Sequence, residues 1–434
     1  MTLAGPTNST RTPPGSTEYR VSRLIFLIKF IASSSVALVK TALEMMIVST
    51  ISYIDRNAIA VLIPTIQKET GLSAREYGWI VAAFSYAYML GNPLWGILLD
   101  RLGVKIGMTL AVAGWSLASA LHALAGGALS FGILRTGLGF CEGATFPGSL
   151  RTVMQTLEPE RRSRGIALSY SGGSLGAILT PLIVTPIALA YGWRMSFWVT
   201  GVAGIAWLVW WWILCRRPDL ALRPKLETSG FVWRDRRVAA FIAAYAMGAV
   251  PLGFILYMGG LYLSQVFHLS QAQLGGLLWI PPLGWECGYF FWGWWIDRLV
   301  KRGVSTSEAC RRAFTIGLVF SLPLAFAPIV TSLPLFMFEL FLAMFVTGSF
   351  IVGGIAYATS VFGNGRAGLI AGLGAGSFSA LTAITAPIFG GYFDQKHYEY
   401  AFWIATAFPV CGYVLWRWLR GEPESASGAA NTPR

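Results

Sequence analysis

Five ionisable residues stand in stretches otherwise built from apolar ones: Asp55 and Arg56, side by side in "SYIDRNAIAV" (52–61), then Arg135, Glu142 and Glu286. An arginine guanidinium keeps its charge in any protein setting and offers a planar fork of N–H donors, which suits a carboxylate ligand. A carboxylic acid withdrawn from water holds its proton more readily than a solvated one, so it can load and release a proton near neutral pH. Arginines and acids together in one apolar setting point to an anion site coupled to protons. Arg135 and Glu142 are seven residues apart, which on a helix places them on one face about 10 Å apart along the axis. The bland alternative is a set of ion pairs that only hold helices together.

The elements that must position these residues are membrane helices. Of 434 residues, 55% are hydrophobic and 12% charged, against about 25% charged in a soluble domain. Apolar runs of about 18 or more residues, enough to cross a hydrocarbon core, recur from end to end. A charge at the centre of such a helix costs about 2.5–3.5 kcal/mol on insertion scales, so the five residues must face one another or a water-filled cavity. The short alternating segments of a membrane β-barrel are not found.

The expected fold is an all-α polytopic membrane protein with twelve transmembrane helices, at roughly 37–66, 77–99, 105–127, 129–157, 163–189, 193–215, 238–267, 271–296, 311–331, 333–361, 366–392 and 398–420. They group as two six-helix bundles, 37–215 and 238–420, joined by a polar linker at 216–237. Residues 1–36 and 421–434 form cytoplasmic tails; the first twenty residues are polar and Pro/Ser/Thr-rich, with no cleavable signal peptide. Within the first tail, 24–36 reads either as an interfacial helix or as a start-site artefact. Pro181, Pro186, Pro281, Pro282 and Pro387 are expected to kink their helices.

Loops on the N-terminal side hold eighteen Lys and Arg, and the opposite loops four, which places both termini in the cytoplasm. That distribution accounts for the net charge of +13 without nucleic acid. The five cysteines lack metal-ligand spacing and read as buried free thiols. Three scattered histidines with no HExxH or CxxC argue against a metal site, a cofactor or an enzyme.

The halves echo each other: "GILLDR" (96–101) and "GWWIDR" (293–298) each follow the second span of their half, as expected of repeats with a substrate site at their interface. "GILLDRLGVK" is similar to the cytoplasmic loop motif of the major facilitator superfamily, with Val104 where a second basic residue is common. The resemblance implies a cytoplasmic gate of Gly96, Asp100, Arg101, Gly103 and Lys105, with Asp297 and Arg298 in the second copy. In that family the aspartate meets a neighbouring helix end and steadies the outward-facing state.

A narrower resemblance runs through "YIDRNAIAVLIPTIQKETGLS" (53–73), "FSYAYMLGNPLWGILLDRLG" (84–103), "RTGLGFCEGATFPG" (135–148) and "GWRMSF" (192–197), which look like the anion:cation symporter family within that superfamily. It implies Asp55 and Glu142 as proton-coupling carboxylates, Arg56 and Arg135 as their partners and substrate contacts, and Tyr53 and Tyr88 as site lining. "FHLSQAQLGGLLWIPPLGWECG" (267–288) is similar to the hexuronate branch and adds Trp279 and Glu286, with Glu286 where that branch has Asp. Gly173 stands where galactonate-type relatives carry Gln. Asn92 departs from a common Gln, and span 11 offers Ser377, Ser379 and Thr382 in place of an Asn.

The resemblance therefore implies a secondary active transporter working by alternating access. It would carry out proton-coupled symport of an organic anion, a hexuronate (glucuronate or galacturonate) or related sugar acid, across a bacterial inner membrane. The alternatives are another carboxylate, such as an aldonate or dicarboxylate, and drug/proton antiport. The expected partners are the anion, protons and the lipid bilayer, for a monomer with no cofactor.

Overall fold

A computed structural model describes residues 17–217, 220, 234–363 and 367–421. Most of the linker, nearly all of the C-terminal tail and the first sixteen residues lie outside it. Among the described residues there is no strand. The bundle wears its apolar side chains outward: Leu129 and Ile329 are each 78% exposed and Trp418 76%. Only a hydrocarbon surrounding makes such a surface stable. Cys287 and Cys411 are exposed on it, whereas Cys215 and Cys310 are buried, so the expectation of buried thiols holds for only part of the set. A thiol is apolar enough to face lipid.

The first half comprises α1 (Thr17–Thr70), α2 (Ala74–Leu121), α3 (Ala128–Glu142), α4 (Thr145–Thr156), α5 (Pro159–Tyr191) and α6 (Trp193–Leu214). The second comprises α7 (Arg236–Ile242), α8 (Val250–Gln265), α9 (Gln271–Leu277), α10 (Ile280–Lys301), α11 (Thr306–Ser321), α12 (Leu333–Phe362), α13 (Ala367–Asp394) and α14 (Tyr398–Leu419). Eight helical runs among the described residues are long and apolar enough to cross a bilayer. One of them, Ala74–Leu124, has 51 residues, over twice the length a ~30 Å core requires. It covers the expected second and third spans, which meet at Gly103, where φ is +80° and the helical path breaks. The expected spans at 129–157, 271–296 and 398–420 fall on α3–α4, α9–α10 and α14, whose charged, glycine-rich or aromatic residues lower their hydropathy.

Three local expectations change. The stretch 24–36 is no separate element, because α1 runs unbroken through it. Span 4 breaks at Gly143–Ala144, directly after Glu142. Pro281 and Pro282 do not kink a helix but occupy the first turn of α10, where a missing N–H costs nothing; Pro181, Pro186 and Pro387 do lie inside helices.

The repeat extends beyond the two loop motifs. Ser73 caps α2, its Oγ accepting from Glu76 N at 3.1 Å while Ser73 N donates to Glu76 Oε2 at 2.8 Å. Ser270 caps α9 in the same way with Gln273. Five residues after each cap stands a glycine pressed on the other half. A Cβ at Gly78 would lie 2.7 Å from Pro387 Cα on α13, and one at Gly275 would lie 2.6 Å from Thr185 Cβ on α5. Two equivalent helix starts thus seal one end of the bundle.

Candidate functional site

α1 carries Tyr53, Asp55, Arg56 and Asn57 into the protein interior, and consecutive positions on a helix point about 100° apart. Asp55 therefore turns into the first half and Arg56 toward α3. Asp55 is fully buried; its Oδ1 accepts from Ser119 Oγ on α2 at 2.5 Å, and Ser119 in turn lies 3.0 Å from Thr200 Oγ1 on α6. Arg56 donates from Nε and Nη2 to Oε2 of the fully buried Glu142, at 3.1 and 3.0 Å. Three rings enclose its guanidinium: Tyr88 at 4.3 Å, Tyr53 at 4.4 Å and Phe84 at 4.8 Å from their centroids.

The reach from α1 to Glu142 depends on close helix contact. A Cβ at Gly143 would lie 2.7 Å from the Gly91 carbonyl carbon, and one at Gly91 would lie 2.5 Å from Phe140 O. Glycines at this crossing draw α2 and α3 together, which fixes where Glu142 sits within the first half. Arg135 does not bond Glu142; its Nη1 donates to the Arg56 carbonyl at 2.9 Å. Its Nε and Nη2, both buried, have no hydrogen-bond partner among the described residues. A buried guanidinium with donors to spare is the arrangement an anion ligand would complete.

Other expected site residues are more scattered. Tyr88 is buried beside Arg56, and Tyr53 also meets Trp285 of α10, 6.0 Å between centroids, so it touches both halves. Glu286, half-buried, accepts a hydrogen bond from Ser174 of α5 across the interface between halves. Trp279 does not join this group: it precedes α10 and its indole N–H donates to Gly276 O at 2.9 Å, seven residues or about 10 Å along the axis from Glu286. On α13, Ser377 Oγ donates to Gly374 O at 2.9 Å, Thr382 Oγ1 to Phe378 O at 3.0 Å, and Ser379 is buried. Gly173 lies against Tyr53, where a Cβ would come 3.0 Å from the ring. Asn92 Nδ2 donates to Tyr88 O at 3.0 Å and so braces the tyrosine's helix.

At the basic end of the bundle, Asp100 Oδ1 pairs with Arg151 Nη1 of α4 at 2.5 Å, within the first half rather than with a helix of the second. Arg101, Asp297 and Arg298 are exposed, and Gly96 faces open space. Lys105 lies over Trp212.

Sequence reasoning missed the closure at the opposite end. Asp394, ending α13, accepts from Ala74 N at 2.7 Å and Arg75 N at 3.0 Å, so a carboxylate of one half caps a helix of the other. Gln271 accepts from Thr65 Oγ1 at 2.8 Å and donates to Val61 O at 3.1 Å, and Tyr77 OH donates to Tyr257 O at 3.0 Å. Just inside, a cavity of about 20 Å³ lies between the halves, lined by Asn57, Val61, Pro181, Gly259 and Pro281 among others. That is room for a single water, too little for an organic anion. Gly390→Leu should prevent this closure, since a Cβ there would already lie 2.7 Å from the Ala74 carbonyl carbon. Spin labels at Arg75 and Lys396 should then report longer distances than in the wild type; an unchanged distribution would contradict the role of the glycine.

Comparison with known proteins follows the same lines. A profile of the Major Facilitator Superfamily matches residues 45–309. The hexuronate transporter of Escherichia coli (strain K12) is 24% identical over 416 residues, covering 89% of this chain and 95% of the relative. The D-galactonate transporter of Escherichia coli O6:H1 is 27% identical over 390 residues, 82% of this chain and 89% of the relative. Among solved structures, a bacterial homolog of the human lysosomal transporter Spinster superposes with a TM-score of 0.70 at 15% identity, over 87% of this chain and 96% of that one. At that identity the likeness concerns the fold.

Proposed function

This chain belongs to the major facilitator superfamily, and on that premise we propose that it imports a sugar acid, most simply a hexuronate, together with protons across a bacterial inner membrane. The observation that carries the reading is one guanidinium with two claimants. Arg56 gives two N–H groups to Glu142, and a substrate carboxylate would want the same two. Protonating Glu142 removes its charge and releases Arg56 for the anion, while the spare donors of Arg135 complete the site. The buried set Asp55, Arg56, Arg135 and Glu142 holds two positive and two negative groups. A proton and an anion arriving together keep that balance, whereas an anion alone would leave an uncompensated charge away from water.

The excess of basic loop residues assigns the end closed by Asp394 and Gln271 to the outside. Release would then occur at the cytoplasmic end, where the Asp100–Arg151 pair stays within its own half and leaves the halves free to part. Return to the outward-facing state would exchange contacts at the two ends, with the loop motifs as the inner gate and both termini in the cytoplasm. The names of the relatives favour hexuronates and aldonates as cargo.

Counterflow decides among these. Proteoliposomes preloaded with unlabelled glucuronate should take up labelled glucuronate, with galacturonate competing better than galactonate. Gly173 beside Tyr53 gives the second preference a location. Competition by galactonate equal to that by galacturonate would move the assignment to sugar acids as a class, and no counterflow with any of them would refute it.

A further inference from the structure

α6 has two unlike faces. Trp207 and Trp211 turn inward, stacked 5.1 Å apart, and donate to the Glu44 carbonyl at 3.3 Å and the Lys105 carbonyl at 3.2 Å. Val209, Trp212 and Ile213 turn outward and are more than half exposed. The break at Gly103 restarts the helical path of α2, so Lys105 stands in the first turn of the new segment, tied to α6 through Trp211. Between them runs an open groove of about 510 Å³, lined by Lys105, Leu208, Val209, Trp212, Ile213 and Arg216. Lys105 Nζ lies 4.8 Å over the Trp212 ring, and Arg216 is exposed just beyond the end of α6. Among the described residues, no carboxylate lines the groove.

Two cations at the rim, an apolar wall running toward the hydrocarbon and a tryptophan between them match an amphiphile with an anionic head. The groove lies at the basic end of the protein, which the orientation proposed above places in the cytoplasmic leaflet, where anionic lipid attracts cationic side chains. We propose that it binds an anionic phospholipid, with the headgroup phosphate on Lys105 and Arg216 and an acyl chain along Leu208, Val209 and Ile213. A free phosphate would gain only the rim charges, which water screens. A zwitterionic lipid would bring its own cation to a cationic rim.

Titration of the full-length purified protein in micelles with phosphatidylglycerol brominated in its acyl chains tests this without any transport. Trp212 is isolated from the other tryptophans by subtracting the emission of Trp212→Phe. Its quenching should need roughly 25-fold less brominated phosphatidylglycerol than brominated phosphatidylcholine, since each of the two basic side chains contributes on the order of fivefold. The preference should vanish in Lys105→Gln/Arg216→Gln and persist in Lys105→Arg/Arg216→Lys, which guards against simple misfolding. Equal quenching by the two lipids, or a preference that survives the glutamine pair, would overturn the proposal. So would displacement by glycerol phosphate at the same concentration, since a head without chains would then suffice.

Discussion

Glu142→Gln should lose proton-driven accumulation of substrate while keeping exchange. Glutamine has nearly the shape of a protonated glutamic acid and carries no charge, so it leaves Arg56 permanently available to an anion. Binding and counterflow should therefore persist, and the steady-state gradient should fall by roughly tenfold or more, a coupling loss of at least ~1.4 kcal/mol. Asp55 supplies the contrast within the same cluster. Its carboxylate is held by Ser119, itself hydrogen-bonded to Thr200, rather than by an arginine, so Asp55→Asn frees no guanidinium. If Glu142→Gln accumulated substrate as well as the wild type, proton loading would have to be assigned elsewhere.

Arg56→Met should be the most damaging single change, and in two separable ways. It strands the buried carboxylate of Glu142, and removing one partner of a buried pair costs on the order of 3–5 kcal/mol. It also deletes the donors proposed to take the substrate carboxylate. A thermal shift should show the first effect and counterflow the second. The double variant Arg56→Met/Glu142→Gln separates them, because no charge is then stranded. Its thermal stability should recover most of the loss while transport stays absent. Recovery of both would make the pair structural only, and the anion site would have to be built on Arg135 alone.

Much of this site is legible in the sequence because charge in an apolar run is costly and so stands out. Asp55, Arg56, Arg135, Glu142 and Glu286 can be picked out on that ground alone. Their pairing cannot. Arg56 and Glu142 are 86 residues apart and on different helices, and spacing along one helix says nothing of contacts between two. What decides it is the approach of α1 to the end of α3, which depends on how the backbones of the bundle cross. The partners of Asp55 are equally hidden, because Ser119 and Thr200 look like any small polar residue in a membrane helix. Asp394 reads as an ordinary charge at a helix end, and only its distance to Ala74 N and Arg75 N reveals that it joins the halves. The loop motifs betray the repeat, but the paired caps at Ser73 and Ser270 show where the repeat closes the bundle.

Proton-coupled import is tested most directly by glucuronate uptake into wild-type proteoliposomes, acidic outside against equal pH on both sides. Accumulation above the external concentration is expected only with the inward proton gradient, and it should collapse when a protonophore is added. Equilibration to the same level with and without the gradient would contradict the coupling of the anion to protons through Arg56 and Glu142.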